Sequence, residues 1–281
     1  MRARRGPAGR GFFGVAAAEA VLGVSALVIF FPFFWMVLTS LKSLPEIMRV
    51  PVTFFPQKVF LDNYRKLLGD PLFLRFFLNS IVVSVVGTVV STFNSMIAGF
   101  VFAKFRFPAK RFLFFLILAT LMIPFQCYMI PLYLLCVRLK WIDTYAGLIF
   151  PIVISSFGIF FIRQNMQSIP DSLLEAARID GAGIWRIFFT IVVPLSVSAC
   201  IVLAIFQFMT AWGDFIWPLV ATNSQRMFVL ELGLARFRGQ FQDDYGLMMT
   251  GATLGILPVI AVFLVFRRYI IEGMTLSGIK A

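Results

Sequence analysis

The sequence predicts an all-α integral membrane protein with six membrane-spanning helices, and three observations carry that prediction. Apolar residues make up 60% of the 281-residue chain and charged residues only 14%, with a mean hydropathy of +0.92, whereas soluble domains average about 45–50% and about 25%. Six runs without Asp, Glu, Lys or Arg, at 20–41, 76–103, 112–137, 144–162, 187–213 and 245–266, take up about half the chain. A hydrocarbon core about 30 Å thick needs about 20 helical residues at a rise of about 1.5 Å each, so every run is long enough to cross. The alternation of a membrane barrel over segments of about 10 residues is absent. Helices remain, and they pair their own backbone polar groups.

The elements follow in order. Arg2, Arg4, Arg5 and Arg10 precede the first run, which is too long for the apolar core of a signal peptide and lacks an A-x-A site, so it reads as an uncleaved first span. Residues 1–19 then form an N-terminal tail, 20–266 a single transmembrane domain and 267–281 a C-terminal tail. In the connector 42–75, Pro45, Pro51, Pro56 and the amphipathic stretch 61–68 predict short helices or an ordered loop. The second run places Ser84, Thr88, Ser91 and Ser95 on one face, with Asn94 and Ala98 beside it. Such a stripe serves close helix packing or lines a hydrated path. In the third, Pro124 and Pro131 remove amide donors on either side of Gln126 and loosen the helix at two points, as bordering a conduit or as simple kinks. The connector 214–244 carries four acids and is too short for a domain of its own. Gly251 and Gly255 form a helix-contact pair on the last span.

Six spans put both termini on one side. Lys104, Arg106, Lys110 and Arg111 are concentrated in the connector 104–111, whereas the six basic residues of 42–75 are spread out, so the positive-inside rule places both termini in the cytoplasm.

Composition excludes several chemistries. With no histidine, imidazole metal sites, bases and pH switches are unavailable. Cys127, Cys136 and Cys200 fall inside spans without metal or redox spacing and read as buried small apolar residues. Apart from Glu19, no charged residue lies within the membrane core, where proton-coupled carriers place theirs, so driving energy enters elsewhere. No G-x-x-x-x-G-K-[ST] phosphate loop is present. No acid cluster or nucleophile with a base marks an enzyme. The net charge of +12 follows the span ends and does not imply a nucleic-acid partner.

Between the fourth and fifth spans, Ser168 and Asp171 form a capping-box-like start, Pro170 suits a first helical turn, 173–179 are good helix formers and Gly181 ends the helix. Leu173, Leu174, Ala177 and Ile184 supply an apolar surface, and Glu175 and Arg178 are spaced to pair. An interfacial amphipathic helix would share these features. Spacing favours a projection into the cytoplasm: Glu175, Ala176 and Ala177, three residues, Gly181, nine residues, then Ile191, Val192, Val193 and Pro194. This segment resembles the EAA loop of permease subunits of binding-protein-dependent ABC importers, departing from the pattern only at Val193, where Leu is usual. Asp62-Asn63-Tyr64, Asn79-Ser80, Phe105-Arg106-Phe107-Pro108 with Lys110-Arg111, Ala211-Trp212-Gly213-Asp214-Phe215 and the ending 273–280 extend the resemblance over nearly the whole chain. It is similar to the sugar-importer branch, the branch of the smaller maltose-type permease, with Gly213 where relatives often have Asn.

The resemblance implies a type I importer permease fold in a bacterial or archaeal cytoplasmic membrane. The loop 163–186 would hold a cytoplasmic coupling helix in which Glu175, Ala176, Ala177, Asp180 and Gly181 meet an ATPase, the alanines allowing close approach. The implied partners are a second homologous permease, two ATP-binding cassette subunits, an extracytoplasmic solute-binding protein and membrane lipid. ATP and Mg would be bound by the partner ATPases, with no cofactor and no catalysis in this chain. Candidates for the translocation path are Asn94, Gln126, Gln207, Trp212 and Asp214. A carbohydrate is the expected substrate, and glycerol phosphate or its diesters the alternative. A self-contained channel or secondary carrier would call for an embedded coupling group or an inverted repeat, and neither is found.

Overall fold

The computed structural model describes residues 10–235 and 244–278, and these are helical throughout their regular segments. Most of the basic N-terminal tail, Asp243 of the acidic connector and the last three residues lie outside the described residues. Helix α1 (Arg10–Ser40) is followed by the short α2 (Leu44–Ile47) and α3 (Asp62–Gly69), then by α4 (Pro71–Lys104). Next come α5 (Lys110–Thr120), α6 (Phe125–Arg138), α7 (Tyr145–Ile149) with a 3-10 turn to Ile152, and α8 (Ser156–Gln167). Outside the bundle lies α9 (Asp171–Ile179). Helix α10 (Ile184–Ile187) runs through a π-helical segment, Phe188–Val192, into α11 (Val193–Leu195) and α12 (Val197–Trp212). The chain closes with α13 (Ile216–Ala221), α14 (Leu230–Leu234) and α15 (Tyr245–Gly278).

Six spans result, three unbroken and three bent. Gly14–Ser40, Pro71–Lys104 and Tyr245–Tyr269 are single apolar helices long enough to cross. The others are helix pairs: α5 with α6 at 98°, Tyr145–Ile152 with α8 at 45°, and Ile184–Leu195 with α12 at 78°. Helix ends do not coincide with the charge-free runs, because backbone capping sets them. Helix α10 starts after its N-cap Gly183 and carries Arg186 with it.

Each break has a local cause. In the third span α5 ends at Thr120 and α6 restarts after its N-cap Pro124, which has no amide to donate. Pro131 sits inside α6 without interrupting it, so the two expected weak points reduce to one. In the fourth, Asn94 Nδ2 donates to the freed Val153 carbonyl at 3.1 Å, and Ser155 Oγ caps α8 by accepting from the Gly158 amide at 3.0 Å. In the fifth, the chain turns at Ser196, whose amide reaches the Val192 and Val193 carbonyls. These bonds supply the partners that lipid cannot.

The serine stripe of α4 is a packing surface. Ser84, Ser91 and Ser95 are fully buried, and their hydroxyls, with that of Thr88, meet no partner among the described residues. Their contribution is small size, which lets helices approach. A Cβ on Gly99 would lie 2.7 Å from the Ile162 Cγ2, one on Gly87 3.1 Å from that of Ile152, and one on Gly158 would collide with the Ser95 hydroxyl. Cys136 and Cys200 are buried as expected, but Cys127, in the first turn of α6, is exposed.

The described residues form two compact units, 10–69 with 244–254, and 70–235 with 255–278. In the first unit residues 42–69 of the connector are ordered by α2 and α3. Asn63 Nδ2 donates to the Ser40 and Lys42 carbonyls, Tyr64 shares a 2.7 Å hydrogen bond with Ser40, and Thr250 Oγ1 reaches the Ser40 carbonyl at 3.4 Å. In the second unit the segment after α12 folds back as part of the bundle. Trp217 is buried and donates through Nε1 to the Gly147 carbonyl at 2.9 Å. Asn79 Nδ2 donates to the Arg226 and Phe228 carbonyls, and the Tyr145 hydroxyl donates to Asn79 Oδ1 at 2.6 Å. Asp143 accepts from the amides of Asn223 and Ser224. Burial opposes its carboxylate, but the bonds from Ser224 and Asn223 outweigh it and hold the pKa below the ordinary value.

The closeness of α4 to α8 is testable. Gly158→Val is expected to lower stability by about 1–3 kcal/mol, read as a lower midpoint temperature for loss of the monodisperse species in detergent. An unchanged midpoint contradicts this packing.

Candidate functional site: the α9 projection and the cleft beside α12

Helix α9 is fixed at both ends. At its start, Ser168 does not cap; its hydroxyl donates to the Asn165 carbonyl, and Pro170 occupies the N-cap without a side-chain bond. Lys104, the last residue of α4, does the tying instead. Its Nζ donates to the Ile169 carbonyl at 2.5 Å and to Asp171 Oδ1 at 2.7 Å, with only 5% of the side chain exposed. The Lys104 ammonium, through that hydrogen bond and its charge, holds the Asp171 carboxyl below the usual carboxylate range.

At its end, Gly181 adopts φ +79°. The Ala182 amide bonds the Ala177 carbonyl at 2.9 Å and the Gly181 amide bonds the Arg178 carbonyl at 3.0 Å, which is a Schellman turn. No atom stands within 4 Å of where a Gly181 Cβ would be, so the backbone conformation, not space, requires glycine here.

The helix is two-sided. Leu174 is 4% exposed, and it packs with Ala177 and Ala182 on a core that includes Phe100 of α4, Met166 of α8, Phe188 of the π segment and Leu203 of α12. Leu173, Glu175, Ala176 and Asp180 are exposed, and Ile179 is 86% exposed. The expected apolar surface therefore splits. Leu174 and Ala177 seat the helix, whereas Leu173, Ala176, Ile179 and, farther on, Ile184 and Trp185 face away. Glu175 and Arg178 form no ion pair among the described residues.

A second feature is a cleft of about 490 Å³ bordered by the breaks in the third and fourth spans and by the C-terminal end of α12 with the segment after it. It brings together Gln126, Gln207 and Asp214, with Phe125, Ser155 and Thr210 beside them. Asn94 and Trp212 stand outside it. Asn94 holds the Val153 carbonyl next to the wall residue Ile154. Trp212 is 4% exposed, donates to the Gly255 carbonyl at 3.0 Å and stacks on Phe208. Asp214 accepts one long bond, 3.4 Å, from the Trp217 amide. Burial pushes its carboxyl above the ordinary value, against the opposing amides of Trp217 and Ile216.

The tie through Lys104 was not legible in sequence, where that residue counts only as a topological charge. Its partners are 65 and 67 residues away, and no local pattern links them.

Six spans, three of them broken, and a helix seated outside their apolar length define a membrane subunit of a transport system. Residues 95–275 match the family of binding-protein-dependent transport system inner membrane components, and the chain belongs to that family. It is 36% identical over 258 residues, covering 91% of this chain and 92% of the relative, to the arabinooligosaccharides transport system permease protein AraQ of Bacillus subtilis (strain 168). The lactose transport system permease protein LacG of Rhizobium radiobacter is 32% identical, with 93% and 94% covered. The sn-glycerol-3-phosphate transport system permease protein UgpE of Brucella abortus (strain 2308) is 33% identical, with 90% and 93% covered. The fold is that of a chain in a crystal structure of a bacterial ABC transporter involved in the import of the acidic polysaccharide alginate, with a TM-score of 0.83, 23% identity, and 95% of this chain and 99% of that one covered.

The tie at the start of α9 has a pH signature. At neutral pH the α9 amides are expected to exchange hydrogen faster in Lys104→Met and Asp171→Asn than in the parent protein. A depressed carboxylate pKa stabilises the fold above its unfolded value, about 3.9, and that contribution is lost as pH falls through the folded value. The parent is therefore expected to converge on Asp171→Asn in acid below that range, whereas Lys104→Met, which also loses the bond to the Ile169 carbonyl, stays faster. Equal exchange in all three at neutral pH contradicts the tie.

Proposed function

We propose that the chain is one of two permease subunits of an ATP-driven carbohydrate importer, and that α9 is its coupling helix to an ATPase. The observation that carries this reading is the two-sidedness of α9. Leu174 and Ala177 lock it to four bundle elements, while Leu173, Ala176, Ile179, Glu175 and Asp180 are left outward for a partner. In this assembly two ATP-binding cassette subunits bind ATP and Mg and do the hydrolysis. A second homologous permease completes the path, and an extracytoplasmic solute-binding protein delivers the substrate. Both termini lie in the cytoplasm of a bacterial or archaeal cell, as does α9.

The mechanism follows from the seating. ATP-driven closure of the ATPases moves the outward face of α9, and the shared core passes that displacement to α4, α8 and α12. The cleft holding Gln126, Gln207 and Asp214 borders the N-cap of α8, Ser155, and the C-terminal half of α12, so its walls move with those helices. Rigid seating is needed, because a loosely attached helix would absorb the displacement locally.

Carbohydrate is favoured by relatives that carry arabinooligosaccharides and lactose. Glycerol phosphate or its diesters are the second reading, favoured by the UgpE relatives.

Co-purification tests the coupling. Gly181→Val places an L-residue in the left-handed region, costing roughly 1–2 kcal/mol, and is expected to reduce the ATPase recovered with the permease while the protein still inserts. Glu175→Lys is expected to do the same by reversing an outward charge. Undiminished ATPase recovery and uptake in both variants would count against the reading.

A further inference from the structure

We propose that this subunit's wall of the translocation path selects against anionic substrates, with Asp214 as the specificity-determining charge, so that the cargo is a neutral, hydroxyl-rich molecule. The inference rests on the importer reading and narrows it. Among the described residues, the cleft beside α12 is lined by one carboxylate, Asp214, and by no lysine or arginine. A phosphate or uronate passing such a wall meets repulsion with no compensating cation, and the half-enclosed setting screens that repulsion less than bulk solvent does.

The remaining lining suits neutral hydroxyls. The amides of Gln126 and Gln207 make no hydrogen bond among the described residues, leaving donors and acceptors free for a ligand. Thr210 and Ser155 add hydroxyls, each already holding one bond to the backbone. Phe125 provides an apolar ring beside them. Asp214 accepts the long bond from the Trp217 amide, with the Ile216 amide also directed at it, and a carboxylate has acceptor capacity left beyond these for a sugar hydroxyl. The basic residues at the ends of the spans are absent from this wall, although the chain as a whole is strongly cationic.

The wall can be probed without knowing the cargo. In the assembled importer with Cys127→Ser, a reporter thiol at Gln126→Cys, or alternatively Gln207→Cys, is reacted with the cationic trimethylammonium-ethyl and the anionic sulfonato-ethyl methanethiosulfonates. Rates are normalised to a free thiol in solution. The cation-to-anion ratio is expected to exceed the free-thiol value by about fivefold or more, to fall to near that value with Asp214→Asn, and to be retained with Asp214→Glu. A ratio near the free-thiol value with Asp214 intact, or one unaffected by Asp214→Asn, overturns the proposal. So does uptake of radiolabelled sn-glycerol 3-phosphate by the parent importer. ATPase recovery is scored on the same preparations, so failure of the importer reading shows as lost assembly and is distinguishable from loss of charge preference in an intact complex.

Discussion

The seating of α9 on the bundle is the interaction on which the rest depends. A nine-residue helix outside the membrane has too few residues to be stable alone. Here it is held by Leu174 in the core, by Lys104 at its first turn and by the Gly181 turn at its end. Core packing contributes an apolar anchor, the ammonium satisfies a carbonyl and a carboxylate, and the left-handed glycine returns the chain toward the fifth span. Remove any one and the outward residues lose their fixed position relative to α4, α8 and α12.

The membrane imposes the second constraint. Backbone groups freed at a bend must find partners within the protein, and the three bent spans meet this in different ways. Asn94 serves the fourth span, the Ser196 amide serves the fifth, and the third relies on Pro124, which has no amide to leave unpaired. The cleft with Gln126, Gln207 and Asp214 lies where the bends of the third and fourth spans meet the C-terminal end of α12. Polar side chains gather there because the helices do not pack continuously past one another. The tight contact of α4 with α8 through Ser95 and Gly158 gives the opposite case, a close interface.

Much of this was legible in the sequence because lipid permits so few backbone solutions. Six apolar runs led to six spans, and the amphipathic stretch 61–68 to α3. Gly181 and the residues before it marked a helix and its end. What was not legible depended on distance in the chain or on helix-face geometry. Ala177 and Leu174 look equivalent to Leu173 and Ala176 in composition, but their angular positions send them to opposite sides. Pro131 and Pro124 are the same residue type, but only the second coincides with a break. The Trp212 Nε1 donates to the Gly255 carbonyl, a partner 43 residues away that no local pattern links to it. Asn94 was placed on the correct helix, but it acts on a backbone carbonyl of the next span.

The account requires that the exposed face of α9 meet a motor on the cytoplasmic side of the membrane. The most direct measurement is labelling of Ala176→Cys, in a Cys127→Ser background, by a membrane-impermeant maleimide in vesicles of each orientation. The account predicts labelling in inside-out vesicles stripped of the ATPase, protection when the ATPase is restored, and none in right-side-out vesicles. Labelling in right-side-out vesicles would contradict it.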